Sequence, residues 1–156
     1  MRNRINMDSG KKEYALYFDG ASKGNPGLGG IGFVIYDLSS TSSTSEIYAE
    51  SRYIGKHVTN NYAEYTALYL GLEKALSLNL ERLLVYGDSL LIIKQMKGEY
   101  AVNSPNIFNL HKKSKDISSK FLEISYNHVS RNKNRRADAL ANEGVNSRLA
   151  QPEEPV

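Results

Sequence analysis

The chain has 156 residues, 20 Lys and Arg against 17 Asp and Glu, and 40% hydrophobic content, which fits one globular domain with a single core. It contains no Cys and no Trp, which excludes a disulfide framework, a thiolate metal site and a Cys nucleophile, so any metal must be held by oxygen or His. No run approaches the roughly 20 apolar residues of a membrane span. Residues 1–13 also lack the apolar core of a secretory signal, and the expectation is a soluble, cytoplasmic protein with no membrane partner.

Residues 1–13 and 151–156 are polar and aperiodic and read as disordered tails flanking one domain over 14–150. Tyr14 to Gly20 (YALYFDG) is a nearly continuous apolar run, the pattern of a central strand buried on both faces. Ile31 to Leu38 is a second strand, and a Ser/Thr cluster from Ser39 to Ser45 turns the chain into a third, Glu46 to Gly55. The period then changes: Glu64, Ala67, Leu68, Gly71, Ala75 and Leu78 recur at spacings of three and four, which predicts a helix from Asn61 to Leu78, capped by Thr59, Asn60 or Asn61. Arg82 to Asp88 is a fourth strand, followed by a short helix closed by Gly98. Ser104-Pro105 opens a helix with Ile107, Leu110 and Ile117 inward, Phe121 to Val129 is the last strand, and Asn134 to Leu149 the closing helix, with Ala137, Leu140, Ala141 and Val145 inward. The order β-β-β-α-β-α-α-β-α predicts an α/β fold, a five-stranded mixed sheet of three antiparallel and then two parallel strands with helices on both faces.

Four acids stand where apolar residues are expected. Asp19 and Asp88 each end a hydrophobic run, while Glu64 and Asp138 lie on the apolar stripes of two helices. A helical crossover between the strands ending in Asp19 and Asp88 predicts parallel neighbours, with both carboxylates at one end of the sheet, where ligands bind in such folds. Each acid alone could be a cap or half of an ion pair. Four together repel, and a hard divalent cation with oxygen ligands is the natural compensation. From Ser89 to Arg136, ten Lys and Arg face three Asp and Glu, which is either a solvated basic face or the footprint of a nucleic-acid binder.

The segments DGASKGNPGLGGIGFVI (Asp19 to Ile35), TNNYAEYTAL (Thr59 to Leu68), YGDSLLIIKQMKGEY (Tyr86 to Tyr100) and HVSRNKNRRADALANEG (His128 to Gly144) resemble the type 1 ribonuclease H family, in order and spacing, from about Tyr14 to Val145. The match is to the short archaeal and bacterial form. The resemblance implies an endoribonuclease that hydrolyses the RNA strand of RNA–DNA hybrids without sequence preference, leaving 5′-phosphate and 3′-hydroxyl ends, with double-stranded RNA as a further candidate substrate. It assigns Asp19, Glu64, Asp88 and Asp138 to two Mg²⁺ ions, with Mn²⁺ as a substitute and Asp19 as the bridging ligand.

For substrate contacts the resemblance implies Gly20, Ser22, Asn25, Asn60, Asn61 and Ser89, with Thr59 and His57 at a phosphate of the DNA strand. His57 stands where some members have Arg, which would make that contact weaker or pH-dependent. The glycines of Ser22 to Gly30 would let the backbone approach a partner, although a tight hairpin explains Gly24-Asn25-Pro26-Gly27 as well.

Two departures stand out. The loop before Asp138, Ser130 to Asn134, has no His; Arg131 there could act on the scissile phosphate electrostatically, or be a solvated charge, and His128 is expected to pack inside the last strand. No Trp-rich basic insertion separates Lys97 from Ser104, so hybrid binding would rest on Lys112, Lys113, Lys115, Arg135 and Arg136. A monomer is the default. The rival readings are a hybrid-binding module that no longer cuts, and another nuclease or integrase on the same architecture.

Overall fold

The computed structural model describes residues 11–39 and 44–150; the expected tails at 1–10 and 151–156, and most of the Ser/Thr turn, lie outside them. Along the chain run β1 (Tyr14–Lys23), β2 (Gly27–Asp37), β3 (Ser45–Val58), α1 (Asn60–Ser77), β4 (Arg82–Gly87), α2 (Leu90–Met96), α3 (Pro105–Ser118), β5 (Glu123–His128), a 3-10 turn (Arg131–Lys133) and α4 (Arg135–Ala150). The strands form one sheet in the order β3-β2-β1-β4-β5. β1, β2 and β3 pair antiparallel, and β4 lies parallel to both β1 and β5. This is the expected mixed sheet.

Side-chain alternation divides the sheet into two faces. Leu16 and Phe18 of β1, Ile31, Phe33 and Ile35 of β2, and Val85 of β4 meet Leu68 and Leu72 of α1, Ile92 of α2 and Ile107 of α3 in the main core. On the other face Gly30 and Gly32 of β2 lie against the backbone of α4, whose Ala137, Leu140, Ala141 and Val145 are buried as expected. Because α4 covers β2 rather than β4, β2 is buried from Gly29 to Ile35, whereas Tyr17 of β1 remains half-buried and stacks on Tyr86 with ring centroids 4.7 Å apart. The strand sealed on both faces is therefore β2, not β1.

Three expectations need correction. The first hairpin is longer than its apolar runs, with pairing that continues to Lys23 and Leu28, so most of the expected glycine loop is strand. Its glycines serve internal packing: a Cβ on Gly29 would collide with Val58, and one on Gly30 with Ala141. Leu78, placed on the inner stripe of the first helix, is its C-cap and 42% exposed, while Tyr65, unexpected in the core, is fully buried. Burial of Tyr65 is permitted because its hydroxyl donates to Gln95 Oε1 at 2.7 Å. His128 is the last residue of β5 and exposed, not packed.

Gly32 sets how closely α4 approaches the sheet. A Cβ there would lie 2.5 Å from Ala137 O and Ala141 N. Gly32→Ala should therefore destabilise the fold by about 2 kcal/mol or more, read as a lower urea midpoint at unchanged slope; an unchanged midpoint would show that the helix can back away without cost.

Candidate active site

Four elements deliver carboxylates to one edge of the sheet. β1 supplies Asp19, and Asp88 follows the end of its parallel neighbour β4. Glu64 lies one turn into α1, and Asp138 one turn into α4. The approach of α1 depends on Gly20, where a Cβ would strike the backbone at Ala63 and Glu64. On the opposite face Asp19 is paired with Gly32, the residue against which α4 rests. Two glycines thus admit two helices, one from each side, to the end of β1.

Ligand oxygens of Asp19, Glu64 and Asp88 lie within 4.8 Å of one another. Asp138 stands outside this tight trio, yet it lines the same cleft, and its nearness favours the protonated form of Asp19. The cleft, of about 560 Å³, is also lined by Gly20, Ser22, Asn60, Ser89, Arg131 and Asn142. Burial pushes the Asp19 carboxyl up to about 9, and the neighbouring charges of Asp88 and Glu64 push the same way. Glu64 rises to about 7, again through burial and then through Asp88, while a hydrogen bond with Asp19 and the charge of Arg131 pull it back. Acids that hold protons this tightly gain most from a divalent cation, and the donor set, all carboxylate oxygen, suits a hard ion such as Mg²⁺.

The polar residues around the acids interlock. Ser22 N donates to Asn60 Oδ1 at 3.0 Å, Asn60 N to Asn25 Oδ1 at 3.0 Å, and Ser22 Oγ to Val58 O. Asn25 therefore serves the hairpin turn, at φ +27°, and ties that turn to α1. Thr59 caps α1 by accepting from Tyr62 N at 3.1 Å, and Ser89 caps α2 by accepting from Ile92 N at 3.3 Å. His57 is exposed near the end of β3, and Asn61 is half-buried in the first turn of α1. On the basic side Lys112 and Lys113 of α3 are exposed, whereas Lys115 donates to Met96 O and Arg136 is held by Glu46 at 3.1 Å. Two residues escaped the sequence reading. Asn142, four residues beyond Asp138 on α4, donates to its Oδ1 at 3.4 Å, a spacing that could have signalled it. Asn134 donates to Asp88 Oδ2 at 2.9 Å and gave no periodic signal.

Residues 17–144 match the family described as reverse transcriptase-like. Ribonuclease HI of Halobacterium salinarum is 38% identical over 141 residues, covering 90% of this chain and 68% of that protein. The chain belongs to the type 1 ribonuclease H family. The crystal structure of the RNase H1 from Halobacterium salinarum NRC-1 superposes with a TM-score of 0.80 at 36% identity, covering 86% of this chain and 98% of that one. LC11-RNase H1, solved in complex with an RNA/DNA hybrid, superposes with a TM-score of 0.79 at 36% identity over 88% of this chain and 99% of that one. The bifunctional protein Rv2228c of Mycobacterium tuberculosis is 37% identical over 129 residues, 83% of this chain, and the chain spans 34% of that relative's length. Among the described residues no helix is long and apolar enough to cross a membrane.

Folded Asp19 and Glu64 keep protons that the unfolded chain releases, so without metal their contribution to stability is complete only below their ordinary range and is lost as pH rises through the raised values. In EDTA the melting temperature should fall by roughly 5 °C between about pH 7 and pH 9. Asp19→Asn should flatten that slope, and saturating Mg²⁺ should remove it. A melting temperature equally level in the wild type and the variant would contradict the crowding of these acids.

Proposed function

We propose that this protein is an endoribonuclease that hydrolyses the RNA strand of RNA–DNA hybrids without sequence preference, leaving 5′-phosphate and 3′-hydroxyl ends. The observation that carries the reading is the carboxylate group itself: Asp19, Glu64 and Asp88 within 4.8 Å of one another, with Asp138 lining the same cleft. The family membership and the hybrid bound by LC11-RNase H1 support the choice of substrate. Asp19, Glu64, Asp88 and Asp138 would hold two Mg²⁺ ions, or Mn²⁺ in their place, with Asp19, 5% exposed and most crowded by like charges, as the residue that gains most from them. Bound there, the pair supplies activation of an attacking water and charge neutralisation at the departing 3′ oxygen.

The chain's own residues do the rest. Oδ1 of Asn25 and Oδ1 of Asn60 are both engaged by backbone N–H groups, which turns their side-chain N–H donors toward solvent and a substrate's minor-groove acceptors, the ribose 2′-oxygen among them. Ser22, Gly20, Asn61 and Ser89 line or flank the same groove. Thr59 accepts a cap bond yet keeps its O–H to donate, and with His57 and the positive end of α1 it forms a seat for a DNA-strand phosphate. Arg131 lines the cleft and offsets charge on Glu64, a position from which it would stabilise the scissile phosphate. Lys112 and Lys113 add long-range attraction. All these groups come from one chain, which supports a monomer as the active unit.

Labelled RNA–DNA hybrid, double-stranded RNA and DNA duplex, each incubated in Mg²⁺, Mn²⁺ or EDTA, test the reading. Cutting of the RNA strand of the hybrid, abolished by EDTA and reduced by several orders of magnitude in Asp19→Asn with binding retained, is expected. Cutting of DNA duplex, or activity that survives EDTA, would overturn it. Arg131→Ala should slow turnover on the hybrid about 10- to 100-fold; a normal rate would remove Arg131 from the mechanism.

A further inference from the structure

Asn134 is 1% exposed and occupies the residue before α4, where an Asn side chain ordinarily accepts a bond from the first turn of the helix. Here it does not. Its Nδ2 donates at 3.0 Å to the backbone oxygen of Phe18 and at 2.9 Å to Asp88 Oδ2, and its buried Oδ1 has no partner among the described residues. Turning the amide over would set that oxygen against a carbonyl and a carboxylate, so the assignment is fixed by its surroundings. A buried acceptor left without a bond is costly, and natural folds leave few of them. The unmet bond therefore marks a side chain whose donor matters more than its acceptor.

What the donor joins is specific. Phe18 immediately precedes Asp19 at the end of β1, Asp88 follows β4, and Asn134 opens the helix that carries Asp138, with its own backbone oxygen accepting from Asp138 N at 3.0 Å. Its backbone N also donates to Arg131 O at 3.0 Å, which ties in the turn that holds Arg131. One amide thus connects the segments that bear three of the four acids.

We propose that Asn134 is a positioning residue that orients the Asp88 carboxylate beside Asp19 and Glu64 and holds the ends of β1 and β4 in register with α4. The proposal rests on the metal-site reading above. Partners that orient a ligating carboxylate typically change metal affinity or activity 10- to 100-fold when removed. Asn134 belongs to this group, since its shown contacts are with Phe18, Asp88, Arg131 and Asp138.

The test compares wild type, Asn134→Ala and Asn134→Leu. Leu matches the shape of Asn, removes the donor and also removes the orphaned acceptor, so its melting temperature in EDTA should stay within a few degrees of wild type. The Mg²⁺ concentration that gives half of the metal-induced rise in melting temperature should increase about tenfold in both variants. Their kcat on RNA–DNA hybrid should fall about 10- to 100-fold while KM stays within about twofold. Unchanged Mg²⁺ response and kcat in a folded variant would overturn the role of Asn134 alone. Failure of Asn134→Leu to fold would assign the amide to stability and overturn it too. A wild type whose melting temperature ignores Mg²⁺ would sink the metal site and this inference with it.

Discussion

Mutual repulsion among carboxylates is the constraint around which this molecule is arranged. Oxygens of Asp19, Glu64 and Asp88 within 4.8 Å of one another, in a place where Asp19 is 5% exposed, form a group that an unconstrained chain would disperse. Holding them together costs free energy, which the burial of the sheet and helices must exceed. A divalent cation converts the same arrangement from a liability into a binding site, because every oxygen that repels its neighbours also attracts the ion. Crowded acids, raised proton affinities and metal affinity are three expressions of one geometry.

The scaffold meets that constraint through backbone rather than side chains. Parallel pairing of β1 with β4 brings the two strand ends together, and the glycines at 20 and 32 admit α1 and α4 from opposite faces. Polar contacts then trim the result: Asn134 holds Asp88, Asn142 reaches Asp138, and Gly20 N donates to Asp19 Oδ1 at 2.9 Å. The Ser22, Asn25 and Asn60 interlock does the same for the groove beside the acids, tying the hairpin turn to the start of α1. On the proposed reading, substrate recognition and metal binding share the start of α1, which carries Asn60 and, one turn later, Glu64.

Much of this was legible in the sequence because it is carried by pattern. Apolar runs ended by Asp19 and Asp88, and helical stripes bearing Glu64 and Asp138, located the acids, and the helix between two strands implied that they meet. What stayed hidden depended on partners distant along the chain. The extent of the first hairpin was missed because Gly29 and Gly30 look like loop residues until Val58 and Ala141 are seen filling the space above them. Tyr65 is buried because Gln95, thirty residues away, satisfies its hydroxyl, and Asn134 bonds the end of a strand 116 positions earlier. Leu78 fits the helical period but falls at the point where the helix ends, and period alone does not mark that end. Arg136, counted among the hybrid-binding cations, also pairs with Glu46 of β3, a contact ninety positions away that no local pattern reveals.

The central claim, that these carboxylates form one divalent-metal centre, is tested most directly by anomalous scattering from crystals grown with Mn²⁺. The account predicts a strong peak enclosed by the side chains of Asp19, Glu64 and Asp88, absent when Mn²⁺ is replaced by EDTA. Peaks found only elsewhere on the surface, with this position empty at saturating Mn²⁺, would contradict it.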